Sequence, residues 1–372
     1  MTHQHINTGW PQLLAVRLRS VRRDWTLTAG IAIISACYLV AIFADFIAPY
    51  PYASQSRREP FAPPARLGRC PPSEVAGFLP RLCLYKQTLI DPLARRYGED
   101  ARAAPQSLTL FPRGYSYKLL GLISVERHLF GVEAAASGEP ARLYLLGADR
   151  LGRDRFSRLI VAARFSLLTG PMGTLLAGAL GIIIGCVAGS AGGAADAALM
   201  RLADVLMALP TLVIVLAVRT AFPLELPPSR AVLLLVSIFA LLGWAEMARL
   251  ARSMVLVLGE REFVVAAKGL GLSRTRILFR HILPNAARPL IVQASLMFPA
   301  FLLAETALSF LGVGLQEPEP SWGNMLAEAT DLAQLRRSTF TLLAPAAAIL
   351  LVTLGAHLSA AALKRRGGQA VS

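Results

Sequence analysis

The sequence predicts an all-α integral membrane protein with six transmembrane helices and a long external segment between helices 1 and 2. Its composition points to a bilayer: 55% of the residues are hydrophobic, only 16% are charged, and the mean hydropathy is +0.52. A soluble domain of this size carries roughly a quarter charged residues. Uncharged windows of about twenty residues, long enough to cross the hydrocarbon layer, recur along the chain. Cationic clusters lie between these windows, as in multi-pass membrane proteins.

Six windows are predicted as spans, and the third of them is interrupted by Pro210 and Arg219. The first is too long for a signal peptide and no A-x-A cleavage site follows it, so we expect it to be retained. The predicted spans are 25–48, 165–195, 204–222, 231–258, 289–313 and 339–363. They leave a five-helix core at 164–363 after the first span and the external segment.

The distribution of cations predicts the orientation. Four arginines precede the first span, eight cations against two acids lie at 249–288, and Lys364 to Arg366 follow the last span. In a six-span chain all three clusters lie on one side of the membrane, and the positive-inside rule predicts that this side is cytoplasmic. We therefore expect cytoplasmic tails at 1–24 and 364–372. The net charge of +15 is explained by topology, so no nucleic-acid partner is predicted.

The external segment at 49–163 is rich in proline, which disfavours long helices, and predicts a small irregular subdomain. Long segments translocate largely regardless of charge, so its arginines do not contradict the orientation. Cys70 and Cys83 lie there with twelve residues between them. They can form a disulfide if the segment is outside the cytoplasm, and the free-thiol alternative stays open. Two isolated thiols are too few ligands for a metal site.

The cytoplasmic loop at 259–288 contains an unusual cationic stretch of small residues. Four side chains share one narrow helical face by their i, i+3, i+4, i+7 spacing: Phe263, Ala266, Ala267 and Leu270. Gly269 and Gly271 are expected to end this helix, and Ser273 to cap a second short helix that stops at Pro284. Such a unit can rest on anionic lipid headgroups or dock a soluble partner, and periodicity alone does not choose.

This stretch resembles the coupling loop of permease subunits in ATP-binding-cassette (ABC) importers. Its usual form is E-A-A, three residues, Gly, a nine-residue gap and I-x-L-P. The residues at matching spacing are Ala266, Ala267, Gly271, Leu283 and Pro284. Val265 occupies the Glu position and His281 the Ile position. The run RHILPN at 280–285 is typical of the dipeptide/oligopeptide/nickel branch.

Three further stretches resemble the same branch in the same order. LGADRLGRDRFSRLIVAARFSL at 146–167 is similar to the segment leading into its second span, with Ala148 where Thr is usual. MRLADVLMALPTLVI at 200–214 resembles its third-span entry, and ETALSFLGVGLQEPEPSWGNMLAEA at 305–329 the signature after its fifth span. From Leu146 onward the chain resembles the second permease of a dipeptide-importer pair.

The resemblance implies a type I ABC importer permease fold and a set of partners. These are a second homologous permease, one or two ABC ATPase subunits that receive the coupling loop, an extracytoplasmic substrate-binding protein, and membrane lipid. Peptides are the first expected substrates, with nickel or oligosaccharides next. No G-x-x-x-x-G-K-[ST] phosphate loop occurs, so ATP hydrolysis is expected in separate subunits. The sequence predicts no catalytic, cofactor or metal site.

Glu305 is the main ionisable residue expected within a span. Sixteen uncharged residues separate it from Arg288, about 24 Å of helix, which places it in the outer part of the membrane. It can make a structural hydrogen bond to the loop after span five or form a wall of the substrate pathway. A proton-coupled secondary carrier would use such a group, and remains the rival class. The third alternative, a membrane scaffold or receptor, predicts no substrate transport.

Overall fold

The structure is a computed structural model that describes residues 25–70, 82–91, 95–100, 105–119, 121–132, 142–223, 226–331 and 340–368. The predicted tail at 1–24 and the end of the predicted tail at 364–372 lie outside these residues. The helices are α1 Trp25–Ile42, α2 Ala44–Ile47, α3 Arg155–Ala191, α4 Gly193–Ala208, α5 Thr211–Thr220, α6 Pro228–Gly259, α7 Glu262–Gly269, α8 Arg274–Ile277, α9 Leu283–Phe310, α10 Trp322–Ala327 and α11 Ala344–Gly368. A π-helical turn, Leu278–Ile282, connects α8 to α9, and the 3-10 turn Glu328–Thr330 follows α10.

The described residues contain five helices long and apolar enough to cross a membrane, or six if one bent pair counts as a span. The pair is α4 and α5, which meet at an angle of 87° where Leu209 and Pro210 interrupt the helix. Proline removes a helical hydrogen bond, so the interruption expected at Pro210 is confirmed as a sharp break. The helical architecture of the membrane part is likewise confirmed.

The helix that contains the second predicted span begins before the apolar window. Helix α3 starts at Arg155, whereas the predicted apolar window starts at 165. The Asp154 side chain accepts hydrogen bonds from the backbone N–H groups of Phe156 and Ser157, and this cap sets the start. The charged first turns of α3 are covered by protein, so hydropathy alone does not reveal where this helix starts.

Close helix approach through glycine builds the membrane core. A Cβ added at Gly181 of α3 would lie 2.6 Å from the Trp244 carbonyl oxygen of α6. A Cβ at Gly30 of α1 would lie 2.6 Å from the Gly355 carbonyl oxygen of α11. Small residues at these contacts let backbones approach closely, which drives helix association in lipid.

The external segment is folded as β-structure rather than as the irregular subdomain we predicted. Its strands are β1 Arg66–Arg69, β2 Leu82–Tyr85, β3 Gln87–Asp91, β4 Arg96–Glu99, β5 Gln106–Leu110, β6 Arg113–Leu119, β7 Ile123–Arg127 and β8 Phe130–Val132. They form one antiparallel sheet of order β1-β2-β5-β8 and two hairpins, β3-β4 and β6-β7. A disulfide joins Cys70 to Cys83, beside the β1–β2 pairing.

The external segment is attached to the outer ends of the spans. The buried ring of His128 places Nδ1 2.9 Å from the Asp45 carbonyl oxygen, and Leu129 N donates to the Phe46 carbonyl oxygen at 2.8 Å. The Asp45 carboxylate pairs with Arg164 of α3 at 2.7 Å. These contacts fix the β-structure relative to the first two spans.

Candidate functional site

The predicted coupling loop at 259–288 forms two short helices separated by a glycine turn. Helix α7 ends at Gly269, and Gly271 adopts φ +75°, the left-handed region that favours glycine. Ser273 Oγ accepts a hydrogen bond from Arg276 N at 3.4 Å and caps α8. The predicted helix end and the predicted cap are both confirmed.

The predicted common face of α7 is divided between the inside and the outside of the loop. Ala267 is only 4% exposed and packs with Val264, Ile277 and Ile282. Phe263 is 42% exposed and Leu270 is 82% exposed, and Ala266 is exposed with them. Ala267 is therefore a core residue of the loop, and the expectation that it lies on the open face is wrong. Helix α8 and the π-helical turn cover that side of α7.

Pro284 does not stop the second helix of the loop. The π-helical turn leads directly into α9, and this widened turn immediately precedes Pro284, which has no N–H to donate. Residues Arg274–Phe310 form one span of 37 residues. The predicted stop is wrong because the helix continues through Pro284.

The loop is also bonded to the end of span four. Lys268 Nζ donates to the Gly259 carbonyl oxygen at 3.1 Å, and Val255 of α6 packs in the same cluster as Ala267. Helices α7 and α8 therefore join the C-terminal end of α6 and the N-terminal end of α9 into one packed unit.

A buried ion network joins two of the stretches that carry the resemblance. Arg153 Nε lies 2.5 Å from Asp149 Oδ2, and Arg153 also pairs with Glu317. Arg158 Nη2 lies 3.0 Å from Glu317 Oε1. The two arginine side chains are only 2% and 1% exposed. Burial alone would lower the pKa of Arg153, but its bonds to Glu317 and Asp149 raise that pKa above its usual range.

Sequence reasoning assigned these four residues no role. The signal that could have found them is the pair of oppositely charged stretches, DRLGRDRFSR and QEPEP, on either side of apolar spans. Buried charges are rare unless they are paired, so two charged motifs on one face predict a partnership.

Glu305 is completely buried at the outer end of α9. Ser309 Oγ donates a hydrogen bond to Glu305 Oε1 at 2.8 Å. The loop after span five packs on Ser309, because a Cβ at Gly314 or Gly323 would collide with its side chain. The expected bond to that loop is made instead within the helix, one turn later. These contacts favour a structural role for the carboxyl group.

Comparisons with known proteins match both parts of the chain. The profile of the family described as "Binding-protein-dependent transport system inner membrane component" matches residues 181–367. The profile described as "N-terminal TM domain of oligopeptide transport permease C" matches residues 13–64. Residues 65–180, which include all eight described strands, lie between the two matched ranges.

Several relatives are peptide permeases by name. The oligopeptide transport system permease protein OppC of Bacillus subtilis is 30% identical over 290 residues, covering 72% of this chain and 92% of that protein. The probable D,D-dipeptide transport system permease protein DdpC of Escherichia coli is 37% identical over 221 residues, covering 59% of this chain and 71% of that protein. The di/tripeptide transport system permease protein DppC of Pseudomonas aeruginosa is 38% identical over 215 residues, covering 58% of this chain and 68% of that protein.

The spans, the helical loop and the matched profiles define a multi-pass membrane permease of the type I ABC importer fold. The chain belongs to the binding-protein-dependent transport system inner membrane component family, in its dipeptide/oligopeptide branch.

Proposed function

We propose that this chain is the transmembrane permease subunit of an ATP-driven, binding-protein-dependent importer of di- and oligopeptides. ATP hydrolysis takes place in separate ABC ATPase subunits and is coupled to translocation through the loop at 259–288. The observation that carries this proposal is mechanical: α7 packs in one cluster with α6 and α8, and α8 continues through the π-helical turn into α9. A docked ATPase can therefore move two spans by moving one helix.

The open face of α7 supports docking of a protein. Phe263, Ala266 and Leu270 are exposed next to one another at helical spacing, so the face offers apolar contact area around a small residue. A flat contact of this kind allows another backbone to approach closely. The alternative, a helix resting on lipid headgroups, predicts that the face tolerates a large apolar residue.

Two further partners follow from the same proposal. A second homologous permease would cover the apolar groove of about 660 Å³ between α3 and α9, which Leu175 and Ile291 help to line. An extracytoplasmic binding protein would deliver substrate to the outer face. Both termini would then be cytoplasmic, the whole assembly would lie in the cell (inner) membrane, and lipid would cover the remaining apolar surface.

Peptides are the proposed substrates because the relatives named above are peptide, dipeptide or oligopeptide permeases. Nickel and oligosaccharides remain the runners-up within the same branch. A proton-coupled carrier acting alone is the less favoured alternative. It predicts uptake without ATPase subunits and sensitivity to an uncoupler rather than to vanadate.

The docking proposal is tested by tryptophan substitutions on two sides of α7. Ala266→Trp puts a bulky side chain on the exposed face and should abolish ATPase co-purification and peptide uptake at normal membrane levels. Val265→Trp is the matched control, because Val265 is also exposed, at 55%, but lies about 100° around the helix from Ala266. Ala267→Trp overfills the loop interior and reports packing instead. Normal uptake by stably expressed Ala266→Trp would contradict the assignment.

A further inference from the structure

A polar cleft lies in the external segment, and residues of β3 and β8 are among those that line it. It has a volume of about 850 Å³. One wall is the chain segment 55–59 and the other is the start of β3 at 86–89, with Tyr50 and Arg142 between them. Sites for small molecules in proteins have volumes of about 300–1,000 Å³, so the cleft is large enough for a short peptide.

The charges of the cleft are unequal. Four cations line the cleft, Arg57, Arg58, Lys86 and Arg142, whereas Glu59 is the carboxylate among the lining residues. Within the described part of the chain, neither Arg57 nor Lys86 forms an ion pair. Glu59 Oε2 already accepts a hydrogen bond from the Tyr144 hydroxyl at 2.8 Å. The cleft therefore presents positive charge to an incoming anion.

Contacts with the core hold the cleft open. Gly152 adopts φ +71° and packs against the Ser56 backbone so closely that a Cβ there would collide with the Ser56 carbonyl oxygen. Ser56 N also donates to the Leu151 carbonyl oxygen at 3.2 Å. The opposite end is fixed by Arg142 Nη2, which donates to Ser54 Oγ at 3.2 Å. Preorganised groups bind a ligand with little ordering cost.

We propose that this cleft binds the carboxylate end of a short peptide on the outer face of the permease. The inference rests on the proposed peptide importer, because that function supplies the ligand class. Arg57 and Lys86 receive the carboxylate, and Glu59 offers the opposite charge that a zwitterionic peptide needs at its amino end. The wall at 86–89 lies outside both matched ranges, whereas the wall at 55–59 lies within the matched range 13–64.

The test measures binding of trialanine and of trialanine amide to the purified full-length chain in detergent by calorimetric titration. The cleft variant is Arg57→Ala with Lys86→Ala. The control is Arg113→Ala with Lys118→Ala, which removes one exposed arginine and one exposed lysine from β6 of the same segment.

Trialanine is expected to bind at least about tenfold more tightly than its amide, because a charge-assisted bond is lost in the amide. The affinity of the cleft variant for trialanine should be about tenfold lower than that of the wild type, and its affinity for the amide should be unchanged. The affinities of the control variant should stay within about twofold of the wild type. Equal binding of the two ligands, absence of saturable binding, or an equal loss in the control would overturn the proposal.

A second measurement distinguishes a peptide site from a docking surface for the substrate-binding protein. If the cleft variant weakens association with that protein and leaves trialanine binding unchanged, the cleft docks an acidic protein surface and the proposal fails. ATP-driven trialanine uptake by the complete importer is measured in parallel. If uptake persists although trialanine does not bind to the cleft, the proposed peptide site is refuted and the proposed function stands. If the wild-type importer takes up no trialanine, the proposed function itself is refuted.

Discussion

Replacing Gly271 by alanine should loosen the cytoplasmic loop without any steric contact. The residue has φ +75°, and an added Cβ would meet nothing within 4 Å. The change therefore isolates backbone strain, which costs roughly 1–2 kcal/mol for a non-glycine residue in the left-handed region. Loss of chain freedom in the unfolded state offsets about 0.4–1 kcal/mol. We expect a net destabilisation of about 1 kcal/mol.

Gly269→Ala is the matched control for this experiment. Gly269 is the last residue of α7, its φ is not positive, and an added Cβ there also meets nothing within 4 Å. Alanine in a helix is favoured over glycine by roughly 0.5–1 kcal/mol, so the control should tighten the loop. The two single-methyl substitutions should differ by about 1.5–2 kcal/mol.

Hydrogen exchange of the amides at 259–288 in nanodiscs measures the difference. Because about 1.4 kcal/mol corresponds to a factor of ten, protection in Gly271→Ala should be at least about tenfold lower than in Gly269→Ala. Exchange in the outer halves of the spans should not change. Equal protection in the two variants would refute the view that the turn requires a left-handed glycine.

Three further predictions concern the external side. Burial raises the pKa of Asp154 to about 6, against the lowering effect of its bonds from Ser157, so this group adds stability as the pH falls from about 7 to about 4. In thermal unfolding, Asp154→Asn should remove that pH-dependent gain in stability and keep the helix cap. Asp154→Ala should lower the free energy of unfolding by about 1 kcal/mol because the cap is lost. An unchanged pH dependence in Asp154→Asn would contradict this. Glu317→Gln should destabilise by about 2 kcal/mol because it leaves two buried arginines short of a carboxylate. Glu99→Gln, whose partner arginine is 70% exposed, should cost under about 1 kcal/mol, and equal costs would argue against a buried network. Replacing Cys70 and Cys83 by serine should lower the amide protection of β1 and β2 by about 3 kcal/mol and leave that of the spans unchanged, as measured by hydrogen exchange. Unaltered protection would mean that the disulfide adds no stability.

The membrane architecture could be predicted because membrane spans require long apolar windows, and few other structural elements contain them. The bend at Pro210 and the glycine turn after α7 could be predicted in the same way, since proline and glycine act locally. The Ser273 cap follows the same rule. Local chemistry was sufficient wherever the determining residue lies at the feature itself.

Features that depend on distant contacts were missed. Ala267 is buried because α8 and the π-helical turn fold over it, and no pattern within α7 distinguishes it from Ala266. The early start of α3 depends on charges at its first turns, which are neutralised by Glu317 and Glu328 from beyond span five. Hydropathy treats those charges as solvent-exposed.

The strands of the external segment were missed for a different reason. They are short, from three to seven residues, and their burial alternates weakly. Prolines in the connections suggested irregular structure, yet proline is compatible with chain between strands. Pairing across β1, β2, β5 and β8 supplies the hydrogen bonds that each strand lacks alone.

The central claim is that this chain translocates peptide only when ATPase subunits act on its cytoplasmic loop. The direct measurement is uptake of labelled trialanine by proteoliposomes that contain this permease, its partner permease, the ATPases and the binding protein. We expect uptake that requires internal ATP, is blocked by vanadate, resists an uncoupler, and disappears with Ala266→Trp but not with Val265→Trp. Uptake by this chain alone, driven by a proton gradient and indifferent to both substitutions, would contradict the claim.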